Sequence, residues 1–431
     1  MRTVANSREG RPLSGPRLVT ALVLGNALEF YDFSTYAFIT VSIGRVFFPA
    51  GEPWTALLLA TAVFGVGFLA RPIGAIIIGF YADRRGRRPA LTLTIGLMAV
   101  GLLILALTPG YASIGMAGPT LIVLARLIQG FALGGEVGAS TALLLELAPA
   151  RRRSLYTAWQ LASQGGATLA AGLLGLGLTL CLPQAVMEQW GWRLLLLPGL
   201  AILPAGLYLR RCLPADARPA AGTASLVRDL ARHRRTLLVA VPVLLCGTVT
   251  TFTTNYMTTY ALTILRMPPA ASIAVTAMVG GCVMVFALAG GWLADRVGRR
   301  PVMLLPRLAL ALLAYPCFAL MLERPGAAAM LAASGLLAAL GAVSGAASLT
   351  AITELLPRPV RAGGLAMVYG FTISLFGGTT QFIITWLTQY TGDPISPAYY
   401  LIITSLIGLI AMVALPETRP EPSAAPCTVT L

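Results

Sequence analysis

Arg71, Arg126 and Arg307 stand inside long apolar stretches of this 431-residue chain. An ionisable group at membrane depth is costly, and by default it faces a partner or a cavity. On a helix at 100° per residue, Gln129 lies about 60° from Arg126 and Glu136 about 80°, so one face carries a cation, an amide and a carboxylate. A guanidinium matches a carboxylate through two parallel hydrogen bonds. Arg126 is therefore a candidate partner for an anionic ligand, the alternative being a fixed ion pair with Glu29, Asp32 or Glu136. Arg71 lies ~15 Å from the nearer end of its stretch at 1.5 Å per residue, and Pro72 and Gly74 loosen the helix there. Ligand contact and structural pairing are both open to it. Arg307, closer to the end of its stretch, is read as snorkelling to the surface and set aside. Asn26, Glu29, Asp32 and Tyr36 share about 120° of one helical face. Burial and a neighbouring Arg act on a carboxyl group in opposite directions, so Asp32, Glu29 and Glu136 are candidate proton carriers, against a structural hydrogen-bonding role. Gln160 and Gln164, spaced i, i+4, offer amides to a ligand or to neighbouring helices. Thr253, Thr254, Asn255 and Tyr256, with Tyr369, Thr372 and Ser374, offer neutral contacts. The second half of the chain shows no other deep Arg, so the first half is expected to supply most of the charge recognition.

The elements that carry these residues follow from composition. The chain is 57% hydrophobic and 11% charged, too little polar material to cover a soluble domain. A membrane span needs roughly 20 mostly apolar residues, and apolar runs place spans near 18–42, 55–80, 89–108, 118–147, 155–181 and 193–210, then 236–264, 271–294, 302–322, 327–355, 362–388 and 397–415. The expected organisation is a tail (1–17), a six-helix domain (18–210), a linker (211–235), a second six-helix domain (236–415) and a tail (416–431). The fold class is all-α, with twelve transmembrane helices. The first 17 residues show no signal-peptide pattern.

All 31 basic residues are Arg. Of these, 24 fall in the tails, the linker and the loops on one side of the expected spans. Arg45, Arg193, Arg266 and Arg324 fall on the other. By the positive-inside rule both termini are cytoplasmic, in a multi-pass protein of a bacterial inner membrane. The net charge of +15 is spread in short clusters between apolar runs, which argues against nucleic acid as a partner. Six scattered Cys and the single His233 offer neither a metal site nor a histidine relay. No G-x-x-x-x-G-K loop is present, which argues against coupling to ATP in this chain. A membrane-bound enzyme would need a nucleophile–base pair or metal ligands, and a sensor a soluble output domain. Neither is apparent.

Two motifs recur. Gly79 to Pro89 and Gly291 to Pro301 both read G-x-x-x-D-R-x-G-R-R-P. Glu146 precedes Arg153, and Glu354 precedes Arg361, by the same spacing through a shared E-L-x-P start. An offset of about 210 residues marks an internal duplication of six spans. Such repeats are a transporter architecture, with the ligand site near the midplane between them.

The duplicated loop resembles the signature of the major facilitator superfamily, and Arg126-Leu127-Ile128-Gln129-Gly130 its R-x-x-Q-G motif. Gly25 to Phe33, Arg71 to Gly74 and Trp190 to Arg193 resemble the metabolite:proton symporter branch. Within it, Tyr156 to Gln164, Ala351 to Pro357 and Tyr390 to Asp393 resemble the citrate and tricarballylate symporters. The resemblance implies two six-helix halves around a central cavity and proton-coupled uptake of a tricarboxylate by alternating access. 2-Oxoglutarate, shikimate, betaine and proline are the substrates of other relatives. The candidate substrate-binding residues, taken from their depth and chemistry, are Arg126, Arg71, Gln129, Asn26, Tyr31, Gln160, Gln164, Asn255 and Tyr369. The implied gate comprises Asp83 with Arg84, Arg87 and Arg88, Asp295 with Arg296 and Arg299, and two supporting pairs, Glu146 with Arg153 and Glu354 with Arg361. No cofactor is expected. The proton is the expected coupling ion, Na⁺ the alternative, and a monomer in the lipid bilayer suffices.

Overall fold

The computed structural model describes residues 15–48, 52–85, 87–133, 136–201, 203–204, 233–358 and 361–419. The described chain is a bundle of helices. Eight of them are long and apolar enough to cross a bilayer, and the apolar helices Thr92–Leu107 and Ala117–Ala132 are shorter. The expected linker, 211–235, lies almost wholly outside the described residues.

The first span is one helix, Gly15–Phe47. The second is Pro53–Leu69 followed by Arg71–Arg85, interrupted at Ala70. The interruption has a local cause: Pro72 has no N–H to give to Phe68, so the helix loses a bond where Arg71 must be positioned. The third span is Arg87–Leu107. The fourth, expected as one run, is two helices, Ala117–Ala132 and Glu136–Leu147, flanking Gly134 and Gly135. The fifth is Arg153–Cys181. The sixth differs most from expectation. Its described part, Gly191–Ala201, is a 3-10 helix with Pro198 inside.

In the second half the seventh to tenth spans are unbroken helices, Arg234–Thr263, Pro269–Val297, Arg299–Glu323 and Ala327–Leu355. The eleventh runs Arg361–Thr372, widens into a π turn over Ile373–Gly377, and resumes as Gly378–Thr391. Such widened turns favour functional positions; here Gly377 and Gly378 lie against the Phe252 ring and the Gly65 backbone. The twelfth span is Ser396–Val413.

Phe33, Phe64, Phe68, Leu102, Ile122 and Trp192 anchor an apolar core that lies mostly in the first half and takes in Phe252 and Ile373 of the second, and Val249, Tyr256, Tyr260, Leu310 and Phe318 anchor one within the second half. The halves meet most extensively along the fifth and eighth spans. Small residues permit that approach, as is usual where lipid offers no hydrophobic drive for helix association. A Cβ on Gly165 would collide with the Met284 and Gly280 backbone, one on Gly172 with Ala277, and one on Gly280 with Leu169. Gly96, by contrast, has no heavy atom within 4 Å of such a Cβ.

A Gly280→Val variant should therefore lower the thermal unfolding temperature in detergent, with a loss of about 1–3 kcal/mol from overpacking, while Gly96→Ala should not. Equal unfolding temperatures for Gly280→Val and wild type would contradict the tight helix contact.

Candidate binding cavity and the contacts between halves

A cavity of about 100 Å³ lies between the halves. Its walls include Arg71, Gln164 and Phe33 from the first half and Asn255, Arg307 and Tyr369 from the second. The Arg71 guanidinium lies over two aromatic rings, 4.5 Å from the Phe33 ring centre and 4.4 Å from that of Phe68, the two centres being 5.2 Å apart. Ring faces attract a cation without neutralising it. Glu29, 3% exposed, and Tyr369 act on it electrostatically. Phe68 in turn meets Phe252 of the seventh span edge-on at 5.4 Å, so the aromatic group bridges the halves beside the cavity.

Arg126 is placed differently. It is 1% exposed and is not part of the cavity wall. Its Nη1 donates to Asp32 Oδ2 at 3.2 Å and to Gln129 Oε1 at 2.8 Å, and its guanidinium lies 3.6 Å from the Tyr36 ring centre. Cation, amide and first-span carboxylate thus form one cluster of the first half, in which Arg126 Nε and Nη2, Asp32 Oδ1 and Gln129 Nε2 make no hydrogen bond. Asn26 and Gln160 also bond each other: Gln160 Nε2 donates to Asn26 Oδ1 at 2.7 Å, and Asn26 Nδ2 to Gln160 O and Ser163 Oγ. Tyr31 donates its hydroxyl to Leu195 O at 2.9 Å, tying the first span to the sixth. Of the nine expected binding residues, the structure brings Arg71, Gln164, Asn255 and Tyr369 to the cavity. It gives Arg126, Gln129, Asn26, Gln160 and Tyr31 partners within the first half. The side chain of Glu136 lies outside the described residues.

Arg307 corrects two expectations. It does not snorkel: it is wholly buried, and its Nη1 donates to Thr250 Oγ1 at 2.7 Å and Cys246 O at 3.2 Å. The second half therefore brings a deep guanidinium of its own to the cavity. Arg307 stands eight residues into a helix that begins at Arg299, about 12 Å at 1.5 Å per residue. That depth, comparable with Arg71, is the sequence signal that was available.

At the arginine-rich end, the two supporting pairs are exchanged relative to expectation. Arg153 Nη1 lies 3.8 Å from Glu354 Oε1, and Arg361 Nη1 lies 4.0 Å from Glu146 Oε1. Each Arg reaches the acid of the other half. Glu354 also takes a fork from Arg299, with Nε and Nη2 each at 3.1 Å. Asp295 accepts the backbone N–H groups of Ser154 and Leu155 at 2.9 and 3.0 Å, capping the fifth helix from the other half; a carboxylate there also complements the helix dipole. Arg296 lies 4.0 Å from the Trp292 ring centre. The side chains of Asp83, Arg84, Arg87 and Arg88 lie outside the described residues.

Glu417 and Thr418, assigned to the tail by sequence, dock onto this end. Glu417 accepts the backbone N–H groups of Arg299 and Arg300 at 2.9 Å each, and Thr418 Oγ1 donates to Glu354 Oε2 at 2.6 Å. Burial opposes ionisation of Glu417, but the N–H donors of Arg300, Arg299, Arg419 and Thr418 outweigh it and hold the carboxyl below its ordinary value.

The model of the family described as sugar (and other) transporter matches residues 18–214 and 216–423. The chain belongs to that family, within the major facilitator superfamily. It is 36% identical to the citrate-proton symporter of Salmonella typhi over 396 residues, covering 90% of this chain and 91% of the relative. It is 31% identical to the proline/betaine transporter of Escherichia coli K12, over 94% of this chain and 84% of that one. Among solved structures, a D-xylose-proton symporter superposes with a TM-score of 0.73 at 17% identity, over 95% of this chain and 99% of that one, a likeness of fold alone. Members of this superfamily are transporters, and the twelve-helix, two-half architecture is theirs.

Two outcomes test the contacts at the arginine-rich end. Replacing Glu354 by Gln weakens both the Arg299 fork and the Arg153 contact, so spin labels on the exposed positions Arg151 and Arg358 should show longer separations than in the unsubstituted background. An unchanged distance distribution would remove the role assigned to Glu354. The Glu417 contact contributes stability in full above pH 4.5, the ordinary value, and loses it as the pH falls through the lower folded-state value. Glu417→Gln should therefore flatten the acid side of the unfolding-temperature profile below pH 4.5, modestly, because the group is exposed to solvent screening.

Proposed function

We propose that the chain imports a small polycarboxylate, citrate or tricarballylate, together with protons. The observation that carries this reading is the buried Arg71 on the wall of a cavity shared by both halves, with Gln164, Asn255 and Tyr369 beside it. A guanidinium set against ring faces keeps its charge and its donors in a place of low dielectric, where a carboxylate is the natural counter-ion. The identity of 35–36% to citrate-proton symporters over 90% of the chain points the same way.

Asp32 is the proton carrier in this reading. Its carboxylate holds Arg126, and a proton on Asp32 would cancel that attraction and free the Arg126 cluster to rearrange. Glu29, near Arg71, offers a second acid. The arginine-rich end is cytoplasmic by the positive-inside rule, and the exchanged contacts of Arg153, Glu354, Arg361 and Glu146 act as the latch that opens when the halves rock. The protein works as a monomer in a bacterial inner membrane, with the proton as coupling ion and no cofactor.

The test is uptake of radiolabelled citrate into proteoliposomes under an inward proton gradient. Uptake should collapse with a protonophore, fall strongly in Arg71→Ala, and lose its dependence on the proton gradient in Asp32→Asn. Accumulation of betaine or proline in place of citrate would overturn the polycarboxylate reading, and gradient-dependent uptake by Asp32→Asn would take the proton role from Asp32.

A further inference from the structure

We infer that Arg307 is a second anion subsite in the same cavity, supplied by the second half, and that the ligand must present two carboxylates, one to each half. The inference rests on the polycarboxylate reading above and adds where the second carboxylate binds. Three observations carry it. Arg307 is wholly buried, and among the described residues no carboxylate forms an ion pair with it. Its Nη1 is occupied by Thr250 Oγ1 and Cys246 O, while Nε and Nη2 make no hydrogen bond. Arg307 and Thr250 both line the cavity.

A buried guanidinium with two idle donors and no counter-ion is an expensive arrangement, and cavity-facing charges of this kind mark ligand paths. Nε and one Nη form the edge of the guanidinium that takes a carboxylate by two parallel bonds. Thr250 fixes the other edge. Its own hydroxyl donates to Cys246 O at 2.7 Å, leaving its oxygen to accept from Arg307. Gly341 leaves room for this arrangement, since a Cβ there would press on Thr250 Cγ2.

The two arginines lie at similar depth. Thr250, which holds Arg307, and Phe252, which touches the ring beside Arg71, are two residues apart on the seventh helix, about 3 Å along its axis. A ligand with carboxylates at both ends would bridge the halves at that level. A ligand with one carboxylate would leave one guanidinium unpaired.

The experiment uses the full chain in proteoliposomes, with citrate uptake and its competition by tricarballylate and by butyrate, in wild type, Arg307→Gln and Arg307→Lys. In wild type, tricarballylate should compete at least tenfold better than butyrate. Arg307→Gln should raise the KM for citrate roughly 10- to 100-fold, the scale of hydrogen bonds to a charged group, and compress the preference for tricarballylate over butyrate. Arg307→Lys, a point charge without the fork, should recover part of both. An unchanged KM and preference in a folded Arg307→Gln protein overturns the second subsite while leaving citrate transport standing. Should Arg307→Gln fail to fold, the wild-type competition decides, and equal competition by butyrate and tricarballylate overturns the inference. If wild type accumulates betaine and no citrate, the polycarboxylate reading itself falls, and the subsite with it.

Discussion

A charge in the apolar interior of a helix bundle must be met by an opposite charge, by aromatic faces and hydrogen bonds, or by a cavity that admits a ligand. The three deep arginines meet this constraint in three ways. Arg126 is paired with Asp32 within the first half, beside Gln129 and the Tyr36 ring. Arg71 lies over the Phe33 and Phe68 rings with the cavity beside it. Arg307 is held along one edge by Thr250 and Cys246, and the cavity lies beside it too. Much of the bundle's design can be read as support for these placements: the interruption at Ala70 before Arg71-Pro72, and the Asn26–Gln160 amide pair that locks the first span to the fifth.

The two halves are joined by different physics at different depths. Along the fifth and eighth spans, glycines bring backbones together, a contact of shape alone. At the arginine-rich end the contacts are ionic and directional, with Asp295 capping the fifth helix and Arg153 and Arg361 each reaching an acid of the opposite half. Near the cavity the bridge is aromatic, Phe64 and Phe68 against Phe252. Close packing resists sliding along the seam, whereas the Arg153–Glu354 and Arg361–Glu146 contacts are long and each has one partly exposed partner, so competing water and salt lower the cost of parting them. A seam that is rigid in its middle and separable at its end suits two bodies that rock about a shared site.

The arginine-rich end is also where the repeat of the sequence has its clearest structural consequence. Duplicated Glu and Arg positions make an exchange of partners possible, because equivalent residues face each other across the pseudo-symmetry between halves. The repeat is nevertheless unequal. Glu354 gathers Arg299, Arg153 and Thr418 around itself, whereas Glu146, about half exposed, makes one long contact among the described residues, with Arg361.

By itself, the sequence determined the class of fold. Length of apolar run, asymmetry of Arg and an internal repeat are local properties, and twelve spans in two halves follow from them because a lipid interior admits few other arrangements of backbone. It also marked Arg71, Gln164, Asn255 and Tyr369, polar residues at depth that the structure brings to the cavity. Only the tertiary structure decided which deep Arg faces the cavity and which faces a neighbour. Helical periodicity gives the angle of a residue on its own helix, but not the rotation of that helix against the next. Arg126 therefore looked like a ligand contact until Asp32 was seen beside it, and Arg307 looked peripheral until Thr250 was seen to hold it inside. The partner exchange of Glu146, Arg153, Glu354 and Arg361 was hidden for the same reason, since sequence spacing is blind to contacts made between halves.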